Sequence, residues 1–159
     1  MGGPDAPARW RVSNIAILLV EDNPDHRELI LLALAGSCER SRIATANDGV
    51  DALDYLLGRG AHEGRDIRKQ PRLVILDMKL THVHGIEVLK AMRAEPLTQC
   101  VPVVMLSSSS ERAAIDSCYE AGANSVVRKS ENFDELTRRM SQIYGFWVTV
   151  NEANRNSRV

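Results

Sequence analysis

The sequence predicts an α/β domain in which five parallel strands form a doubly wound sheet with helices on both faces. Three observations predict it. Five short apolar runs, near 15–20, 42–46, 73–76, 101–106 and 125–128, alternate with stretches of helical spacing, and strict alternation of strand and helix implies parallel strands joined by crossover helices. The strongest runs are continuously apolar, as strands buried on both faces are. Four of the five deliver a reactive side chain at the end: Glu21 and Asp22, then Asp77, Ser107 and Lys129. Open parallel sheets gather their ligands in the crevice outside those strand ends.

The first strand is Ile15 to Val20, running into Glu21 and Asp22. Asn23-Pro24 then opens a helix, with Asn23 as N-cap and Pro24 at its first position. Its apolar stripe is read as Leu29, Ile30, Leu32, Ala33 and Leu34, and Gly36-Ser37 ends it. A weaker strand, Arg42 to Ala46, leads through Asn47-Asp48-Gly49 into a helix near 49–57 carrying Val50, Ala52, Leu53, Leu56 and Leu57. Residues 58–70 are polar, charged and Gly-containing, and are read as a surface loop of a length that is usually functional or mobile. Leu73-Val74-Ile75-Leu76 forms the central strand and ends on Asp77. A helix over 86–92 stops at Glu95-Pro96. Val101 to Leu106 is the fourth strand, ending on the hydroxyls Ser107 to Ser110. A helix from Glu111 to Ala121 is stopped by Gly122, Ser125 to Arg128 is the fifth strand, and a last helix spans Asn132 to Val148.

At 159 residues the chain suits one domain, with residues 1–13 expected as a flexible leader, where only Trp10 packs, and 149–159 as a flexible tail. A net charge of −1 offers no long-range field for nucleic acid or anionic membrane. No apolar run approaches the roughly 20 residues of a membrane span, and the N-terminus lacks a secretory centre, so a cytoplasmic protein is expected. Three cysteines without CxxC spacing suggest neither disulfides nor zinc.

Asp77 alone has two readings: a reactive carboxylate, or a cap for the following turn. The other strand ends favour chemistry. Three carboxylates crowded into one crevice repel one another, and a hard divalent cation bound through oxygen relieves that repulsion. Mg²⁺ suits a site with few protein carboxylates and positions open to phosphate. Lys129 adds positive charge and Ser107 a short hydroxyl donor. Together they suit the oxygens of a phosphoryl group moving onto Asp77 as nucleophile.

The pieces Leu18-Leu19-Val20-Glu21-Asp22, Leu76-Asp77-Met78-Lys79-Leu80 followed by Gly85, Leu106-Ser107-Ser108, and Lys129 at 22 residues beyond Ser107 resemble a response-regulator receiver domain of two-component signalling, over about 14–148. The resemblance implies a flavodoxin-like strand order 2-1-3-4-5 and an Asp77 that accepts phosphate from a histidine kinase. It implies Mg²⁺ bound by Asp22, Asp77 and the backbone carbonyl of Lys79, with Glu21 acting mostly through water. Ser107 and Lys129 would hold the phosphoryl oxygens.

Three positions depart from the family pattern. Thr81 and Ser130 stand where proline is usual, and Val126 replaces an aromatic residue that moves on activation. Lys129-Ser130, the 58–70 insertion and the ending Ile143-Tyr144-Gly145-Phe146-Trp147 resemble the stand-alone regulators paired with bacterial and cyanobacterial phytochrome kinases. That likeness implies a bacteriophytochrome kinase as partner and a homodimer through the last helix. The residues agree: Met140, Ile143, Tyr144, Phe146 and Trp147 are many large apolar groups for a terminus, and an exposed cluster of that kind marks an interface. The alternative is that Phe146 and Trp147 fold back on their own domain. Output would pass through a partner, a dimer change, or onward transfer to a histidine phosphotransfer protein.

His82 and His84 lack a third ligand nearby and are read as surface residues. The serine run lacks the Gly-x-Ser-x-Gly frame of a nucleophile elbow, so only Ser107, with Ser108 beside it, is expected to face the site. Arg138-Arg139 is read as a solvated helix face. Two further classes compete with the switch. A haloacid-dehalogenase-type phosphatase needs a second acid two residues after the nucleophile, where Lys79 stands. A degenerate docking receiver that takes no phosphate is opposed by the intact Glu21, Asp22, Asp77, Ser107 and Lys129. The protein is therefore expected to be a phosphoacceptor rather than an enzyme with its own substrate, catalysing only its own phosphorylation and dephosphorylation.

Overall fold

The computed structural model describes residues 15–154. The leader expected at 1–13, including Trp10, lies outside them. Five strands form one parallel sheet: β1 (Ile17–Val20), β2 (Ile43–Ala46), β3 (Leu73–Asp77), β4 (Val103–Ser107) and β5 (Ser125–Arg128). Their order is β2-β1-β3-β4-β5, as expected. Register runs Val20 opposite Leu76, Asp77 opposite Leu106, and Ser107 opposite Arg128. Because all strands point one way, the residues that follow them emerge on one edge.

Alternation along each strand divides the core in two. Ile17, Leu19 and Ile75 face α1 (Pro24–Leu34) and α5 (Phe133–Tyr144), meeting Ile30, Leu34, Met140 and Ile143. Leu18, Val20, Val74 and Leu76 face the other way, onto α2 (Gly49–Leu57), α3 (Gly85–Ala94) and α4 (Arg112–Glu120), meeting Leu56, Leu89, Met92 and Cys118. Burial on both faces explains why β1, β3 and β4 are continuous apolar runs.

Helix termini follow their signals. The Asn23 Oδ1 accepts from the Asp25 and His26 amides at 2.9 and 3.1 Å, with Pro24 beginning α1. Asp48 and Asn132 cap α2 and α5 in the same way. Gly122, at φ 107°, takes the left-handed conformation that lets the chain leave α4.

Three expectations are corrected. Leu29 and Leu32 of α1 and Val50 of α2 lie outward, at 44%, 53% and 49% exposure, so the buried stripes are narrower than the apolar ones; Tyr55 is buried in α2 instead. Met140 and Ile143 are not part of an exposed cluster, because α5 turns them inward onto the α1 side of the sheet, where both are buried. The last helix is not uniform to Val148: α5 ends at Tyr144 and passes into a wide π-type turn over Gly145–Val150. There Val148 is buried, Tyr144 and Trp147 pack partly against the core, and Phe146 is half exposed. Beyond 148 the Asn151 carbonyl accepts from the Arg72 guanidinium at 2.9 Å, and residues 155–159 of the expected tail lie outside the described residues.

The 58–70 segment is fastened rather than loose. The Arg65 guanidinium lies 4.2 Å over the Tyr55 ring and donates to the carbonyls of Tyr55, Leu56 and Lys69. Gln70 donates to the Leu56 and Ile67 carbonyls. His62 Nε2 lies 2.7 Å from Asp51 Oδ1, closing the segment back onto the first turn of α2.

Candidate phosphoacceptor site

The strand ends meet at the carboxyl edge of the sheet. Glu21, Asp22 and Asp77 bring ligand oxygens within 4.8 Å of one another, the one acidic group of this kind among the described residues. Glu21 and Asp77 are nearly inaccessible, whereas Asp22 is partly exposed. Lys129, delivered by β5, bridges the two buried acids, with Nζ 2.9 Å from Glu21 Oε2 and 3.0 Å from Asp77 Oδ2. Its backbone amide donates to the Ser107 carbonyl at 2.8 Å, which ties the ends of β4 and β5 together.

Backbone donors hold the acids further. The Lys79 amide lies 3.2 Å from Asp77 Oδ1, and the Asn23 amide 3.2 Å from Glu21 Oε1. The Thr81 amide lies 3.0 Å from Asp22 Oδ2. Gly85 begins α3 against the end of β3, so close that a Cβ there would sit 2.2 Å from the Asp77 carbonyl oxygen. The Gly85 of the sequence motif is therefore a packing requirement.

Ser107 is buried at its expected strand end, but its hydroxyl is turned into its own loop. It donates to the Ser109 carbonyl and accepts from the Ser109 amide, both at 3.1 Å, and lies 3.7 Å from the Met78 sulfur. No hydrogen bond joins it to Asp77 among the described residues. His82 and His84 are exposed, as read from the sequence. Val126, in β5, is partly buried, and its amide donates to the Tyr119 hydroxyl at 3.3 Å.

Electrostatics follow from burial. Desolvation, reinforced by the Asp77 charge and only partly opposed by Lys129, pushes the Glu21 carboxyl up to about 7. Burial alone would lower the Lys129 ammonium, but Glu21 and Asp77 outweigh it and hold the lysine above its ordinary value. A crevice with three acids and one lysine fits a divalent cation: the donors are hard oxygens within 4.8 Å of one another, and their charges repel. Glu21 thus binds a proton in the folded protein between its ordinary 4.5 and about 7 that the unfolded chain has lost. Stability of the metal-free protein therefore falls as pH rises through that window and is lowest above it. A divalent cation bound here must displace that proton, so its affinity should weaken by up to about tenfold between pH 8 and pH 6. Calorimetric titration at the two pH values checks this, and equal affinities would be the contrary result.

Sequence reasoning thus located Glu21, Asp22, Asp77, Lys129 and the place of Ser107. It missed the Thr81 amide on Asp22 and the Met78 sulfur beside Ser107. Neither has a sequence signal, since one is a main-chain contact and the other a packing accident of a turn.

The chain is similar to known proteins along most of its length. Residues 17–141 match the response regulator receiver domain. The probable methanogenesis regulatory protein FilR2 of Methanothrix harundinacea is 36% identical over 137 residues, covering 86% of each chain. The response regulator Rcp1 of Synechocystis is 30% identical over 132 residues, covering 83% of this chain and 88% of its own. The crystal structure of its Mn²⁺-bound form superposes with a TM-score of 0.78 at 28% identity, covering 88% of this chain and 99% of that one. The phosphorylated cyanobacterial phytochrome response regulator RcpA gives 0.79 at 32% identity, covering 88% and 98%. On the match over most of its length and on the acid, hydroxyl and lysine set at the strand ends, this chain belongs to the response regulator receiver domain family.

Proposed function

We propose that this protein is a phosphorylation-controlled switch of two-component signalling, in which Asp77 takes a phosphoryl group from a histidine kinase. The observation that carries the reading is Lys129, held between Glu21 and Asp77 in a crevice of three acids. An Asp77 oxygen attacks phosphorus as the phosphorus–nitrogen bond of the kinase phosphohistidine breaks, and the imidazole leaves. Lys129 Nζ, already 3.0 Å from Asp77, follows the incoming oxygens, and Ser107 exchanges its Ser109 partners for one of them. Both donors stabilise charge that grows during transfer. Hydrolysis of the acyl phosphate by water in the same crevice resets the switch.

Mg²⁺ is the cation we assign, held by Asp22, Asp77 and the Lys79 carbonyl, with Glu21 behind them; when bound it neutralises the acids and the phosphoryl oxygens. The Mn²⁺-bound form of Rcp1 supports a divalent ion at such a site. Likeness to Rcp1 and to the phytochrome regulator RcpA supports a phytochrome histidine kinase as the phosphate source. The setting is cytoplasmic, in keeping with the absence, among the described residues, of any helix long and apolar enough to cross a membrane. Pairing of two copies would use Phe146 with the partly exposed Tyr144 and Trp147, since Met140 and Ile143 are committed to the core.

The test is incubation with acetyl phosphate and Mg²⁺, followed by intact mass and solution mass on the same samples. One phosphoryl group should be gained, and neither Asp77→Asn nor a sample in EDTA should gain it. The solution mass reports whether pairing precedes phosphorylation. No gain in the wild-type protein would reduce this chain to a docking domain on a receiver fold.

A further inference from the structure

The turn after β3 is held over the acidic crevice by a bond from a main-chain amide to a carboxylate. Leu80 is buried and anchors the turn from below, while Thr81, His82 and His84 are exposed, so their side chains do little to fasten it. His82 stands at φ 66°, the one non-glycine residue in the left-handed region among those described. A residue with a side chain adopts that region uncommonly and is held there by neighbouring contacts. Two contacts do so: the Val83 amide donates to the Thr81 carbonyl at 2.8 Å, and the Thr81 amide donates to Asp22 Oδ2 at 3.0 Å. The second crosses from the end of β3 to the end of β1 and ends on a carboxylate of the acid cluster.

We infer that the Thr81 amide is a positioning group for the cation. It fixes one oxygen of Asp22, which is only partly buried and on a side chain otherwise able to rotate, and so sets the plane in which that carboxylate presents itself to a divalent ion. Donors that orient a ligand carboxylate in this way are worth about tenfold or more in metal affinity. The strained turn at His82 is what aims the amide, so the turn and the cation stabilise each other through Asp22. The inference rests on the reading of Asp22 as a cation ligand. It concerns the main chain at 81, not the threonine side chain.

Removal of the donor is the test, because proline has no N–H. Calorimetric titration of the full chain with Mg²⁺ should show Thr81→Pro weakened about tenfold. Thr81→Ala, which keeps the amide, should recover affinity to within about twofold of wild type, a contrast that loss of threonine side-chain contacts would not produce. Equal affinity in Thr81→Pro and wild type overturns the inference while leaving the cation site standing. No Mg²⁺ binding by the wild-type protein overturns the cation reading itself. Should the proline variant not fold, amide exchange in the wild-type protein decides: the Thr81 amide is expected to exchange more slowly with Mg²⁺ than without, and an amide as fast as an open loop in both states overturns the inference.

Discussion

Replacing Lys129 with methionine should lower the stability of the metal-free protein by about 3 kcal/mol at pH 8, the scale for removing one partner of a buried ion pair. Glu21 and Asp77 would then face each other with no cation between them. Relief is available by protonation, since Glu21 already binds a proton up to about 7 with the lysine present. Without Lys129 that value rises further, so the loss should be smaller at pH 6 than at pH 8. Mg²⁺ should offset part of it at pH 8, because a divalent ion supplies the missing charge. Thermal melts at both pH values, with and without Mg²⁺, check all three statements, and a pH-independent loss would contradict the electrostatic account. Phosphoryl uptake from acetyl phosphate should fall by about a hundredfold even with Mg²⁺ present, the usual scale for losing one donor to developing negative charge.

Gly85→Ala should be nearly as damaging for a steric reason. A Cβ at 85 would stand 2.2 Å from the Asp77 carbonyl oxygen and 2.9 Å from Met78 Cα. Both are main-chain atoms, at the buried end of β3 and in the turn that follows it, so no side chain can swing away. Overpacking of this kind costs about 3 kcal/mol, and the displacement falls on Asp77, the phosphoacceptor we propose, so phosphorylation should fall along with the melting temperature. Gly145 is the internal control. Nothing lies within 4 Å of its added Cβ and its backbone is helical at φ −57°, so Gly145→Ala should be neutral or stabilising by up to about 1 kcal/mol. Melts of the two variants side by side check the contrast.

Those two residues also show which parts of the molecule could be read before any coordinates. Lys129 was visible because a parallel sheet has one carboxyl edge, which the residues following the strands share; Gly85 was visible only through the family resemblance, and its steric role was not. Asn23 and Asp48 as caps and Gly122 as a stop were visible for the equally local reason that a helix end needs an acceptor or a left-handed residue. Packing depth was not. Leu29, Leu32 and Val50 have the spacing of a core stripe yet lie outward, because a helix resting on a sheet buries fewer of its apolar positions than a periodicity count includes. The reverse error befell Met140 and Ile143, whose closeness to the terminus suggested exposure although α5 lies along the full α1 side of the sheet. At the site, the types and places of the acids were legible, while the hydroxyl orientation of Ser107 and the amide on Asp22 depend on turn geometry that a residue list does not encode.

The clasp formed by Arg65, Gln70 and His62 changes how α2 behaves as a cooperative unit. Alone, a nine-residue helix is too short to hold its hydrogen bonds for long. Here its last carbonyls, at Tyr55 and Leu56, are bonded by side chains from 65 and 70, and its first turn is bonded by His62 through Asp51. Helix and segment are therefore expected to open together, as one foldon spanning 49–70. The segment after α2 is thus less a loop than a splint, which lengthens the cooperative reach of a helix only nine residues long.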